Sequence, residues 1–270
     1  MNDARAAVTG FQGEPGAFSD EAAHALLGES IETRGYGTFE DLLEALARGE
    51  VEHALLPCEN TIAGSIARAY DLLLQYEDVA IVDETTHAIE QCLIAPKGAT
   101  IDRLESVASH PVALEQCRLF LSAHPRLRVD VAQDTAGAVR QCIEHGDARA
   151  GAIGPALAAR RYGGVILQRG VQDDAGNQTR FFLLSRARHA RRNLGRVCFA
   201  ISLPHKTGSL SRALAALAAH GLNLRSLLAR PNRKRPFEYV FYLEIDTPKD
   251  GAPAEILAGL GGETRILGVY

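Results

Sequence analysis

The sequence predicts an α/β protein: two α/β lobes facing each other across a cleft, followed by a smaller βαββαβ sandwich. Three observations carry this. Strand-like and helix-like runs alternate over the first 185 residues, the pattern of sheets covered by helices. A second run of the same kind begins near residue 106, within a second lobe over about 80–168, so the alternating region divides in two. From residue 196 the order changes to strand, helix, strand, strand, helix, strand.

Residues 6–11 read as a strand and 19–27 as a helix. Thr38 is placed to cap a helix over 38–48, with Asp41 three residues on. Phe39, Leu42, Leu43 and Leu46 then share one face. A short strand at 54–56, a helix at 65–75 and a long strand from 79 to 95 follow. The second series opens with a strand at 106–108 and a helix whose first turn suits Pro111. Leu114, Cys117 and Leu121 give that helix its apolar stripe. Strand 127–132, helix 135–144, strand 150–153 and helix 155–162 complete it, and a strand at 182–185 follows. Such alternation implies mostly parallel sheets, with a small-molecule site in the cleft where loops meet.

Residues 186–195 are a basic run, expected to be a solvated linker. Beyond it come strand 197–203, helix 209–220 with Leu210, Leu214 and Leu217 on one face, and strands 222–229 and 239–245. The polar hairpin 232–236 joins the two strands, and helix 252–260 and strand 265–269 close a ferredoxin-like unit.

Composition removes several function classes. A net charge of -4 gives no global basic field to hold nucleic acid. No apolar stretch approaches the roughly 18 residues of a membrane span. Met1-Asn2-Asp3-Ala4-Arg5 does not read as a secretory leader. The five cysteines, odd in number and widely spaced, argue against a disulfide framework and for a reducing cytoplasm. No close Cys or His pairs suggest a metal site, so neither metal nor other cofactor is expected. Gln-Cys recurs at 91–92, 116–117 and 141–142, but the flanks differ in type and the recurrence reads as coincidence.

Five segments at strand ends carry polar chemistry. Gly10-Phe11-Gln12-Gly13-Glu14-Pro15-Gly16-Ala17-Phe18-Ser19 is a glycine-rich strand-to-helix loop, which lets backbone N–H groups approach an anion. Pro57-Cys58-Glu59-Asn60-Thr61-Ile62-Ala63-Gly64-Ser65 puts a carboxylate and an amide at a strand end. Ser109-His110-Pro111 opens a helix with Gln116 further in, and Asp134-Thr135-Ala136 opens another. Asn177-Gln178-Thr179-Arg180-Phe181 leads into strand 182–185 and offers an arginine for bidentate carboxylate binding. Taken singly, each is also what an ordinary cap or polar loop looks like.

In this order, the five segments resemble the motifs of prephenate dehydratases, over nearly the whole chain. Thr61 stands where that family usually has Ser, and Gly137 interrupts the fourth motif. The C-terminal unit is similar to an ACT domain, an amino-acid-sensing module. Gly208-Ser209-Leu210 matches its helix start, Leu222-Asn223-Leu224 its second strand, and Leu228-Ala229-Arg230-Pro231 its Glu-Ser-Arg-Pro with the first two residues lost.

The resemblance implies a catalytic domain over 1–185 with a periplasmic-binding-protein-like cleft, a linker over 186–195 and a regulatory domain over 196–270. It implies decarboxylating dehydration of prephenate to phenylpyruvate. Thr179 would hydrogen-bond the departing hydroxyl while Glu59 or a water delivers the proton. Arg180 and the helix start at Ser109 would bind carboxylates, Asn60 and Gln116 would fix the ring, Thr135 would contact substrate and Phe181 would wall the cleft. Gly208, Ser209, Leu210, Asn223 and Leu224 would hold L-phenylalanine as an effector in a homodimer or homotetramer. No fused chorismate mutase is expected. Arogenate as substrate, or a non-catalytic amino-acid sensor, are the alternatives that the residues leave open.

Overall fold

The computed structural model describes residues 8–187, 191–233, 235–247 and 253–270. Parts of the first predicted strand, the basic linker, hairpin 232–236 and helix 252–260 lie outside the described residues.

In the first lobe, β1 (Val8–Gln12) leads through α1 (Phe18–Leu27) to β2 (Glu32–Tyr36), and α2 (Phe39–Arg48) leads to β3 (His53–Asn60). Both β2 and β3 lie parallel to β1. Thr38 Oγ1 accepts from the Asp41 N–H at 3.0 Å, and Leu42, Leu43 and Leu46 are fully buried, as the capping pattern and the apolar stripe predict. The sequence reading missed β2, because Glu32-Thr33-Arg34-Gly35-Tyr36 is a polar edge strand without apolar alternation. The two-residue strand β4 (Gly64–Ser65) folds back on β3, and α3 (Ala67–Leu73) follows.

The strand expected from 79 to 95 is two strands in two sheets. β5 (Ala80–Ala88) belongs to the first lobe and β6 (Cys92–Ala95) to the second, and the chain crosses at Ile89-Glu90-Gln91. Strand-favouring residues stand on both sides of the crossing, Thr85 and Thr86 before it and Leu93 and Ile94 after it, so residue preferences carry no sign of the break.

The second lobe continues with β7 (Ser106–Ser109), α4 (Pro111–Glu115), α5 (Arg118–Ala123), β8 (Arg128–Val131), α6 (Thr135–His145), β9 (Ala150–Gly154), α7 (Ala156–Tyr162) and β10 (Val165–Gln168). Its strand order is β10-β6-β9-β7-β8. The chain then re-enters the first lobe as β11 (Gln178–Ser185), inserted between β3 and β5 and antiparallel to both. The sheets are therefore mixed rather than mostly parallel. β7 pairs parallel with β8 and β9, while β6 pairs antiparallel with β9 and β10. The two crossings are the physical reason, since a strand arriving from the other lobe is not bound by the direction that a crossover helix imposes.

The C-terminal unit runs β12 (Arg196–Ser202), α8 (Ser209–Ala219), β13 (Asn223–Pro231), β14 (Tyr239–Asp246), α9 (Pro253–Ala258) and β15 (Glu263–Val269). Its antiparallel order β13-β14-β12-β15 is the predicted βαββαβ arrangement. β15 touches β5 at Gly268–Ile81, which joins this sheet to the first lobe. A side chain at 268 would put Cβ 2.5 Å from the Ile81 carbonyl oxygen, so glycine permits the contact. Tyr70, Phe182, Tyr242 and Tyr270 stack edge-on or tilted across the same junction. The basic run is not simply solvated: Arg192 lies 2.7 Å and Arg191 3.4 Å from the fully buried Asp83 carboxylate. A buried carboxylate needs such partners.

Candidate active site

A cavity of about 360 Å³ lies between the two lobes. The first lobe supplies Phe18 and Ser19 from the start of α1, Asn60 from the end of β3, and Thr179 and Phe181 from β11. The second lobe supplies His110 and Gln116 from the two ends of α4, and Thr135 from the start of α6. Gln91 comes from the crossing segment. The starts of three helices border one space, and their backbone N–H groups favour an anion where caps leave them free: Pro111 has no N–H, His110 takes that of Val112 and Asp134 that of Gly137.

One hydrogen-bonded chain organises the wall. Asn60 Oδ1 accepts from the N–H groups of Ile62 (3.0 Å) and Ala63 (2.9 Å), which fixes the side-chain amide. Its Nδ2 therefore donates, to Thr179 Oγ1 at 3.0 Å, to the Gln178 carbonyl at 3.0 Å and to Asn177 Oδ1 at 2.8 Å. Asn177 Nδ2 in turn donates to Gln116 Oε1 at 3.0 Å, so the chain spans both lobes. The direction of donation has a consequence. Thr179 is used as an acceptor and keeps its hydroxyl proton, and Gln116 keeps its NH₂, so both offer donors to the cavity.

Among the described residues His110 is the one imidazole that lines the cavity, and no arginine, lysine or carboxylate lines it. His110 Nδ1 accepts from the Val112 N–H at 3.3 Å as the cap of α4. Its neutral form consequently carries the proton on Nε2.

Five of the residues expected at the site are brought together here: Asn60, Gln116, Thr135, Thr179 and Phe181. Three are not. Ser109 is fully buried and donates to the Ile153 carbonyl at 2.7 Å. Glu59 and Arg180 lie on the other face of the sheet. The motif at 177–181 is not a loop before a strand, because residues 178–181 are already within β11. Side chains there alternate between faces. Thr179 and Phe181 face the cavity, and Arg180 faces away.

On that rear face the Arg180 guanidinium meets three carboxylates. Its Nη2 lies 2.8 Å from Glu244 Oε1 and 3.0 Å from Glu59 Oε2, and its Nη1 also bonds Glu244 and lies 3.2 Å from Glu84. Arg196 pairs with Glu84, and the Tyr70 hydroxyl donates to Glu244 at 3.0 Å. Burial works against the charge on Arg180, but the hydrogen bond to Glu244 and the neighbouring negative groups outweigh it and raise its pKa. The guanidinium is thereby held by protein carboxylates and does not line the cavity.

Two residues on or behind the wall had no role in the sequence reading. Asn177 is buried and links Asn60 to Gln116. Gln91 is 2% exposed, and its Oε1 has no hydrogen-bond partner among the described residues. A buried asparagine beside Thr-Arg-Phe was visible in the motif. Gln91 had no signal, since it sits in what read as a continuous strand.

Of the residues expected to hold an effector, Ser209 and Leu210 line a separate cavity of about 350 Å³ with His205, Lys206, Tyr239 and Phe241. Gly208 is the N-cap of α8 at φ 81, a left-handed conformation that favours glycine. Asn223 instead donates to Asp246 at 2.8 Å, and Leu224 packs into the core of the unit. No helix among the described residues is long and apolar enough to cross a membrane, and no group of metal-binding side chains occurs among them.

The prephenate dehydratase family model matches residues 9–189. A chloroplastic arogenate dehydratase/prephenate dehydratase of Arabidopsis thaliana is 36% identical over 247 residues, 87% of this chain. The chain spans 64% of that relative's length. The prephenate dehydratase of Lactococcus lactis is 30% identical over 270 residues, 96% of either chain. Among solved structures, one described as a novel type of quorum quenching acylase has a TM-score of 0.87 at 31% identity, over 97% of each chain. The prephenate dehydratase of Arthrobacter aurescens in complex with L-Phe has a TM-score of 0.86 at 26% identity, over 97% of this chain and 88% of that one.

Proposed function

The chain belongs to the prephenate dehydratase family, and we propose that it converts prephenate to phenylpyruvate in the interlobe cavity. The observation that carries this reading is the chain Thr179–Asn60–Asn177–Gln116, which presents donors but no fixed charge to the cavity. The reaction expels the ring hydroxyl and carbon dioxide, and the ring becomes aromatic. The protein must hold two carboxylates and help hydroxide leave as water. The N–H groups that the caps leave free at the starts of α1, α4 and α6 take the carboxylates, since Arg180 pairs with protein carboxylates. Thr179 hydrogen-bonds the leaving oxygen through its free hydroxyl and keeps its own proton. Protonated His110, whose ring opens on the same cavity, delivers the proton to that oxygen directly or through a water. Such general acid help is worth about 10²–10⁴-fold, and donors pre-aligned on the leaving oxygen add to it.

Arogenate is the second reading, favoured by the Arabidopsis relative and by the unpartnered Gln91 oxygen, an acceptor for an ammonium group. Acyl transfer fits less well. It needs a nucleophile joined to a base, and among the described residues no hydrogen bond links His110 to Ser19 or Thr179.

The C-terminal unit, over 196–270, is read as an ACT-type regulatory domain after a linker at 186–195. L-phenylalanine would bind at the cavity beside Ser209 and Leu210 and lower activity in a homodimer or homotetramer. Five cysteines with no disulfide among them fit a cytoplasmic protein. The test assays prephenate and arogenate side by side with the purified protein, with and without L-phenylalanine. Phenylpyruvate formation that falls with added phenylalanine is the expected result. Turnover of neither substrate removes the catalytic reading, and a flat phenylalanine titration removes the regulatory one.

A further inference from the structure

Glu244 is a carboxylate in the middle of β14, inside the C-terminal sheet, yet its partners belong mostly to the first lobe. It is 1% exposed and is held by both terminal nitrogens of Arg180, by the Tyr70 hydroxyl and, at 3.3 Å, by the Ser226 hydroxyl. Among the described residues Arg180 is the cation that reaches it.

The register across the sheet links this cluster to the cavity. Thr179 stands opposite Asn60 and Arg180 stands opposite Glu59 on neighbouring strands. The front pair is hydrogen-bonded at 3.0 Å and the rear pair is ion-paired at 3.0 Å. The same two backbone steps therefore carry the cavity's hydrogen-bonding pair on one side and the buried charge cluster on the other. A movement of β14 against β11 must either drag Arg180 with it or leave a carboxylate buried without its cation, which is strongly unfavourable.

We propose that Glu244 is a positioning residue: by gripping Arg180 from the C-terminal unit, it fixes the β3–β11 pair that presents Thr179 and Asn60 to the cavity. The activity arm of its test rests on the dehydratase reading above, and the exchange arm does not.

Glu244→Gln keeps the shape of the side chain and a hydrogen bond to Tyr70 but removes the charge. It is expected to lower kcat about 10- to 100-fold, the scale of a remote misplacement, with KM within about twofold of wild type. Hydrogen exchange of peptides covering 55–62 and 176–183 should speed up. Arg180→Lys, which keeps the charge should Glu244→Gln not fold, is expected to give the same pattern, and the double variant should be no worse than either single one. A variant with lowered Tm but unchanged kcat and unchanged exchange in these peptides would overturn the proposal, as would losses that multiply in the double variant. If wild type turns over neither substrate, the dehydratase reading fails, while the exchange measurement still decides the role of Glu244.

Discussion

The front and rear of the β3–β11 pair carry opposite chemistry over the same backbone positions. In front, Asn60 and Thr179 make a neutral, directional hydrogen bond beside an open cavity. Behind, Glu59 and Arg180 join a cluster of three carboxylates and two guanidinium groups. The front depends on geometry and on which atom keeps a proton. The rear depends on charge balance in a region that water reaches poorly. Substitutions on the two faces should therefore fail differently, the front in turnover alone and the rear in stability as well as turnover.

The largest effect is expected from Arg180→Ala. It leaves Glu244 and Glu84, 1% and 8% exposed, without their shared cation. Breaking a buried pair from one side costs about 3–5 kcal/mol. Denaturant unfolding should show a loss of that size, and the KM for prephenate should stay near wild type. A large rise in KM with little loss of stability would instead put the guanidinium in contact with substrate, as the sequence reading had it.

Thr179→Ala is next, and it should lower turnover without the loss of stability. With the side chain 9% exposed and small, stability should change little. Removing a donor aimed at the leaving oxygen should lower kcat by about 10²–10³. Thr179→Ser keeps the hydroxyl and should recover most of the loss. A Thr179→Ala enzyme with near-normal turnover would end the claim that the front pair acts on the leaving group. His110→Asn tests the same face through pH. Asparagine can still cap α4, so the helix should hold, while kcat falls about 10²-fold. The pH–rate profile should lose the limb that reports the acid. A profile of unchanged shape would assign that limb to another group.

Why the two faces were hard to separate in the sequence is instructive. The strand-end segments, the interlobe cleft and the βαββαβ unit were all legible, because they rest on periodicity and on local residue chemistry. Asn60, Gln116, Thr135, Thr179 and Phe181 were legible as a set. Arg180 was misplaced by a boundary: reading residues 177–181 as a loop removed the alternation that separates it from Thr179. Its partners Glu84 and Glu244 lie 96 and 64 residues away, and no local pattern joins them. The crossing at Ile89-Glu90-Gln91 was hidden because strand-favouring residues stand on both sides of it, and Gln91 was hidden with it.

The smallest effect bears on how local the rear cluster is. Arg230, the arginine retained from the ACT-like motif, also crosses between the C-terminal unit and the first lobe. It pairs bidentately with Asp71 of α3, at 3.1 and 2.8 Å. Unlike Arg180 it is about a third exposed, with a side-chain accessibility of 34% against 13%. Water can replace much of what the pair loses, so Arg230→Gln should cost no more than about 1 kcal/mol. Moreover, Asp71 sits on a helix rather than beside a cavity residue on the same strand, so kcat should be unchanged. If Arg230→Gln lowered kcat as much as Glu244→Gln, contact between the C-terminal unit and the first lobe would matter in general. The strand register that ties Arg180 to Thr179 would then have no special role.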